Sequence, residues 1–195
     1  GAQDRGQFDK VEPIFGLKTA GAILRRQVFE EICGFDEDFG IFWEDTDLAW
    51  RTWLAGQPVA FAWPIKVWHH QKPARFYEEN KKAYRLNYFG CRNHLLTILK
   101  NLGGKRLILA LPVVIFSWLI LAFSFLLRLQ PQKSWAILQG LFWNLKNLPA
   151  TWRKRRITQS QRKISDEQLF SKVGYQPSFA YYLGKARAYL TDRPF

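Results

Sequence analysis

From Leu107 to Leu127 the chain runs 21 residues without a charge, between Lys105-Arg106 on one side and Arg128 on the other. At about 1.5 Å per residue such a run reaches about 30 Å as a helix, the thickness of a hydrocarbon core. Pro112, Ser117 and Ser124 interrupt it only mildly. So long an apolar run is rare as the core helix of a small soluble domain, so a helix crossing the bilayer or lying in its surface is expected. Further on, between Ser134 and Trp152, the residues Trp135, Leu138, Leu141, Phe142, Leu145 and Leu148 fall near helical spacing, followed by Arg153-Lys154-Arg155-Arg156. This predicts an amphipathic helix in the membrane interface, with Trp135, Trp143 and Trp152 at headgroup depth. Gln139, Asn144, Lys146 and Asn147 break the apolar surface and weaken a second crossing.

The first hundred residues alternate in a different way. Ile14–Leu24 reads as one or two short strands bent at glycines, followed by a helix over Gln27–Ile32 that Gly34 caps in the left-handed conformation. Thr46–Ala55 predicts a helix closed by Gly56, and Val59–Ala62 and Lys66–Trp68 read as strands around Pro64. A long helical stretch covers Asn80–Leu99. The pattern divides the chain into 1–100, a mixed α and β part; 101–156, membrane-associated helices; and 157–195, a basic tail.

Composition sharpens this division. The 195 residues are 48% hydrophobic, which excludes general disorder. The absence of Met suggests a piece of a longer chain. Cys33 and Cys91 are far apart and in no metal-like spacing, which argues against a disulfide scaffold or a structural zinc site and suits a reducing compartment. Residues 1–100 carry 14 Lys/Arg against 13 Asp/Glu, whereas residues 101–195 carry 15 against 3. Nucleic-acid binders interleave basic and aromatic residues on a polar surface. Here the basic residues flank apolar segments, so the expected partner is an anionic membrane, on its cytoplasmic side, and not nucleic acid.

The most informative polar stretch is Gly34-Phe35-Asp36-Glu37-Asp38-Phe39, followed by Trp43-Glu44-Asp45-Thr46-Asp47-Leu48. Acids at a helix start are stabilised by its free amides and macrodipole. Asp45 is the natural N-cap, and Asp47 stands four residues before Arg51 for an ion pair. That structural role accounts well for Asp47 and less well for Glu44 and Asp45, which are wedged among aromatic residues where a carboxyl tends to be pushed up toward general-base range. His69 and His70 end a predicted strand, so at most one of them faces a given site; either could be a metal ligand, or simply a surface histidine.

The order Gly21-Ala22-Ile23-Leu24-Arg25-Arg26, Gly34-Phe35-Asp36-Glu37-Asp38-Phe39, Trp43 through Arg51, Gly56, Pro64 and Trp68-His69-His70 resembles the C-terminal half of family 2 inverting glycosyltransferases, in particular the rhamnosyltransferase-like group acting on bacterial cell-surface glycans. Asp4–Asp9, Tyr88, Arg92-Asn93, Lys100-Asn101 and Arg162–Ser165 carry the likeness into the flanks, so that it covers about residues 2–170. The Glu-Asp-x-Asp-Leu block is its most specific part.

The resemblance implies an α/β fold: the C-terminal part of the GT-A (nucleotide-diphospho-sugar transferase) fold, followed by membrane-associated helices. It implies Asp45 as general base, with Glu44 as the neighbouring choice, Gly21, Ala22 and Trp43 on the acceptor side, and His69 toward a divalent ion, Mg2+ or Mn2+. That ion would be held mainly by a donor-binding half carrying an Asp-x-Asp motif, which has no counterpart before Gly21. The implied partners are a nucleotide-sugar donor and a saccharide or lipid-linked acceptor at the cytoplasmic face of the bacterial inner membrane. The competing reading is a non-enzymatic membrane-interaction module that keeps half of such a scaffold.

Overall fold

A computed structural model of the chain describes Gly6, Asp9 and residues 12–68 and 79–173. His69, His70, most of Asp4–Asp9 and the tail from 174 onward lie outside the described residues. The expected α/β architecture is not formed: helix makes up 67% of the structure and strand 3%. The sheet is one antiparallel ladder, β1 (Glu12–Pro13) against β2 (Ala60–Phe61), with Ile14 N–H extending it to the Val59 carbonyl at 2.9 Å. Ile14–Leu24 is extended only in part and bends through a 3-10 turn at Thr19–Gly21. Its apolar residues dock on a helix: the Ile14 carbonyl accepts from Trp53 Nε1 at 3.0 Å, and Phe15 meets Trp50 edge-on at 5.2 Å. Lys66–Trp68 does not pair as a strand. A strand needs a neighbour, and the described residues supply only this two-residue one.

Seven α-helices are described: α1 (Arg26–Glu31), α2 (Glu44–Leu54), α3 (Glu79–Asn101), α4 (Gly104–Leu127), α5 (Pro131–Lys146), α6 (Leu148–Ser160) and α7 (Asp166–Val173). The glycine signals hold: Gly34 and Gly56 both have positive φ after α1 and α2, with the Gly34 N–H on the Phe29 carbonyl at 2.8 Å. The helix expected over 134–152 is two helices. It breaks at Asn147, whose backbone leaves the helical region, and Pro149 sits in the first turn of α6, where its missing N–H costs nothing.

α3 is the axis of the molecule. Cys91, Leu95, Ile98 and Leu102 follow helical spacing toward α4 and α5. On another side Arg92, Asn93 and Lys100 take the acidic loop. The carbonyls left open at the C-terminus of α3 are closed by side chains of α6 and the turn after it. Arg155 donates to Leu99 and Leu102, Gln159 to Lys100 and Asn101, and Arg162 to Asn101. Gly103 leads into α4, and its N–H donates to the Asp166 carboxylate at 2.8 Å.

Burial pushes the Cys91 thiol up to about 12, so it stays a protonated core residue. α5 comes close to α3 at Gly140, where a Cβ would stand 3.0 Å from the Tyr88 carbonyl oxygen and 3.1 Å from the Arg92 nitrogen. Backbone cannot yield there as a side chain tip can. Gly140→Ala gains up to about 1 kcal/mol of helix propensity but forces α3 and α5 apart at about 1–3 kcal/mol. The expected net result is a lower melting temperature. An unchanged or raised one would mean that the contact relaxes freely.

Candidate functional site

The loop between α1 and α2 owes its shape to α3. Gly40, Phe42 and Trp43 all have positive φ (65°, 66° and 70°). For two successive aromatic residues this conformation costs about 1–2 kcal/mol each. The compensation is Asn93, fully buried, whose Nδ2 donates to the carbonyls of Phe39, Ile41 and Phe42 at 2.7–2.9 Å. Arg92 donates to the Asp38 and Phe39 carbonyls while its guanidinium lies among the rings of Tyr88, Phe89 and Trp143. Trp43 stacks on His94 at 4.5 Å, and Trp118 Nε1 donates to His94 Nδ1 at 3.2 Å. Burial pulls His94 down to about 4, so the ring is neutral near pH 7, with its proton on Nε2.

The loop carboxylates divide into two sets. Asp36 and Asp47 belong to a buried ion network. Lys100, 2% exposed, reaches Asp36 at 2.5 Å and Asp47 at 3.0 Å. Arg51 Nε donates to Asp47 at 2.8 Å, as the four-residue spacing predicts, and Asn101 adds a bond at 2.8 Å. Lys154, from α6, joins Asp36 to Asp38. None of these acids is free for chemistry.

Asp45 and Glu44 form the other set. The helix begins two residues earlier than expected: Trp43 is the residue before α2, it makes no side-chain cap, and Asp45 lies inside the first turn instead of capping it. Its Oδ1 accepts from the Thr46 N–H at 2.7 Å and the Thr46 hydroxyl at 3.3 Å. Among the described residues its Oδ2 meets only Lys18 Nζ, at 3.1 Å, and Lys18 is 88% exposed against 11% for the Asp45 side chain. Asp45 lines an open cleft of about 760 Å³ with Lys18, Thr19, Gly21, Phe61, Ile65 and Val67. Glu44 is half-buried, and its Oε2 has no hydrogen-bond partner among the described residues.

Gly21 therefore does share a cleft with Asp45, and it also has a packing reason to be glycine, since a Cβ would meet Val67 at 2.9 Å. Ala22 is exposed and extended beside the cleft without lining it. Trp43 turns the other way, toward His94 and α4. His69 lies outside the described residues. Among the described residues no three His, Cys, Asp or Glu gather to hold a metal, and Asp36, Asp38 and Asp47 already face lysine and arginine. These residues do not fit a resident divalent ion. Neither a protein-family profile, nor a curated protein, nor a solved structure matches the chain.

Asp36 gives the network a pH signature. Burial pushes its carboxyl up, but the charge of Lys100 and hydrogen bonds from Lys100, Lys154 and the Asp38 N–H outweigh that and hold it at about 2. Its folded value lies below the unfolded one. The stabilisation is therefore complete above about pH 4 and is lost as the pH falls toward 2, amounting to about 2–3 kcal/mol. In Asp36→Asn the melting temperature should fall less steeply between pH 4 and pH 2 than in the parent. Parallel curves would show that Asp36 does not carry the effect.

Proposed function

We propose that the chain is the acceptor-activating, membrane-bound part of a glycosyltransferase, with Asp45 as the general base. The supporting observation is the contrast within the acidic loop. Asp36 and Asp47 are locked in ion pairs, whereas Asp45 Oδ2 opens on a cleft and, among the described residues, meets only the exposed tip of Lys18. The reading rests on this carboxylate and on no sheet architecture.

In this reaction the acceptor hydroxyl oxygen attacks the anomeric carbon of a nucleotide-linked sugar. The nucleoside diphosphate leaves from the opposite face, so the anomeric centre inverts. The hydroxyl proton passes to Asp45 Oδ2 once Lys18 swings aside. Oδ1 stays fixed by Thr46, which holds the base in place through the step. The donor is a nucleotide sugar, rhamnose being the sugar that the resemblance suggests. The acceptor is a saccharide or a lipid-linked saccharide at the cytoplasmic face of a bacterial inner membrane. α4 is long and apolar enough to cross a membrane, which supports the membrane location.

The exposed apolar side of α4 also suits the second reading, a membrane module without catalysis. One experiment separates the two. The full protein is incubated with radiolabelled UDP-, dTDP- and GDP-sugars and a bacterial membrane extract. Transfer into glycan or lipid that Asp45→Asn abolishes supports the enzyme. Absence of transfer from every donor, with vesicle binding intact, supports the module.

A further inference from the structure

The face of α4 that meets the protein runs its whole length. Leu107 packs with Ile98 and Leu99 of α3 and with Leu102 just after it. Trp118 reaches His94 and Gly90, and Phe125 packs with Cys91 and with Ile137 of α5. α4 is therefore antiparallel to α3 and lies alongside it for about 27 Å from Leu107 to Phe125. The opposite stripe, Leu109, Val113, Phe116, Ile120, Phe123 and Leu127, is more than half exposed at every position. α5 packs against both α3 and α4 and leaves Trp135, Leu138, Phe142 and Leu145 exposed.

The level of the acidic loop decides how this surface meets a bilayer. Trp43 stacks on His94, and His94 accepts from Trp118, which stands near the middle of α4. The residue before Glu44 and Asp45 is thus tied to the midpoint of the helix. A crossing α4 would carry this point, with exposed Lys18 and the open cleft of Asp45, into the centre of the hydrocarbon, where charged groups are strongly disfavoured. A helix lying along the surface leaves them in water.

We propose that α4 does not cross the membrane but lies in the plane of one leaflet, its Leu109–Leu127 stripe in the acyl boundary and the rest of the protein on the same side. The occupant of the stripe is an anionic lipid surface. Exposed Lys105, Lys146, Arg153 and Arg156 provide the matching charge, and the two acids described after residue 100 are both paired, Asp166 with Arg162 and Glu167 with Arg106. This rests on the membrane association proposed above and is independent of sugar transfer.

The test uses the full chain with Cys33→Ala, so that the buried Cys91 is the only native thiol left. Spin labels are placed singly at Leu109→Cys, Phe116→Cys, Phe123→Cys and Leu127→Cys, and depth is measured in vesicles of phosphatidylglycerol and phosphatidylethanolamine. The in-plane helix gives similar depths at all four, about 5–10 Å below the phosphates. A profile deepest at Phe116, about 15 Å down, and shallow at Leu109 and Leu127 shows a crossing helix and overturns the proposal while leaving membrane association intact. Protein that stays in the supernatant overturns the membrane reading itself. Spin–spin broadening without lipid contact shows that a second copy covers the stripe and overturns the proposal as well.

Discussion

Asp45→Asn is expected to lower kcat by about 10²–10⁴-fold in the full enzyme while nucleotide-sugar binding stays near the parent value. A sugar hydroxyl is a poor nucleophile, and its attack is fast only when its proton leaves in the same step. Asn keeps the shape of the side chain. Its amide oxygen can still accept from the Thr46 N–H and hydroxyl, so the first turn of α2 is little changed. Asn serves at helix starts about as well as Asp. The pairing with Lys18 is lost, but that lysine is 88% exposed, and such pairs contribute at most about 1 kcal/mol. The melting temperature should therefore stay within a few degrees while turnover collapses. Glu44→Gln provides the comparison, because Glu44 Oε2, unlike either oxygen of Asp45, has no hydrogen-bond partner among the described residues. If Glu44→Gln is inactive and Asp45→Asn turns over normally, the base is Glu44. If both turn over normally, the proposed chemistry is wrong.

The long helices and their ends were legible in the chain. α3 and α4 fall where periodicity and the uncharged run place them, and Gly34 and Gly56 end their helices as left-handed glycines do. The break at Asn147 was harder to see, because the apolar spacing from Trp135 continues to Leu148 as though one helix carried it. The sheet failed for a different reason. Alternation within Ile14–Leu24 shows that a segment can be extended but not that a partner strand exists. Here the partner of Phe15 is Trp50 on a helix.

The site was half legible. The Glu44–Asp45 pair stands out by its neighbours, and Asp47 pairs with Arg51 as its spacing says. What holds the pair in place was hidden. Asn93 and Lys100 look like interruptions in an amphipathic helix, and their partners lie more than fifty positions away. One signal was available. Arg92-Asn93 and Lys100-Asn101 recur eight residues apart, which is about two helical turns, so the same face carries both polar pairs. Two polar pairs on one face of a helix rich in apolar residues point to a buried polar partner, and the acidic loop is that partner. His94 carried no comparable signal, because its role depends on Trp43 and Trp118 meeting at one place.

Lys100→Met is expected to be the most damaging single change in stability, costing about 3–5 kcal/mol. The ammonium is 2% exposed and, among the described residues, is the one group that joins Asp36 to Asp47 across the interface of the loop, α2 and α3. Met fills a similar volume, so the loss is electrostatic and not a cavity. Two carboxylates, 8% and 0% exposed, then share a site that has lost its central cation. Among the described residues Asp47 keeps Arg51 and Asn101, whereas Asp36 keeps Lys154 and the Asp38 N–H. Asp36 is therefore the more exposed to the loss, and Asp36→Asn in the Lys100→Met background should recover part of the stability. The double change should cost less than the sum of the two singles, a coupling that a merely additive packing effect would not give. If Lys100→Met alone does not fold at 25 °C, a double variant that does fold still shows that the uncompensated Asp36 charge carries much of the loss. Because the network holds the loop that leads into α2, amides over 35–43 should exchange faster in Lys100→Met than those at the α4–α5 contact. A Lys100→Met protein within about 1 kcal/mol of its parent would show that the pairs are replaceable, and that Asn93 and Arg92 alone hold the loop in place.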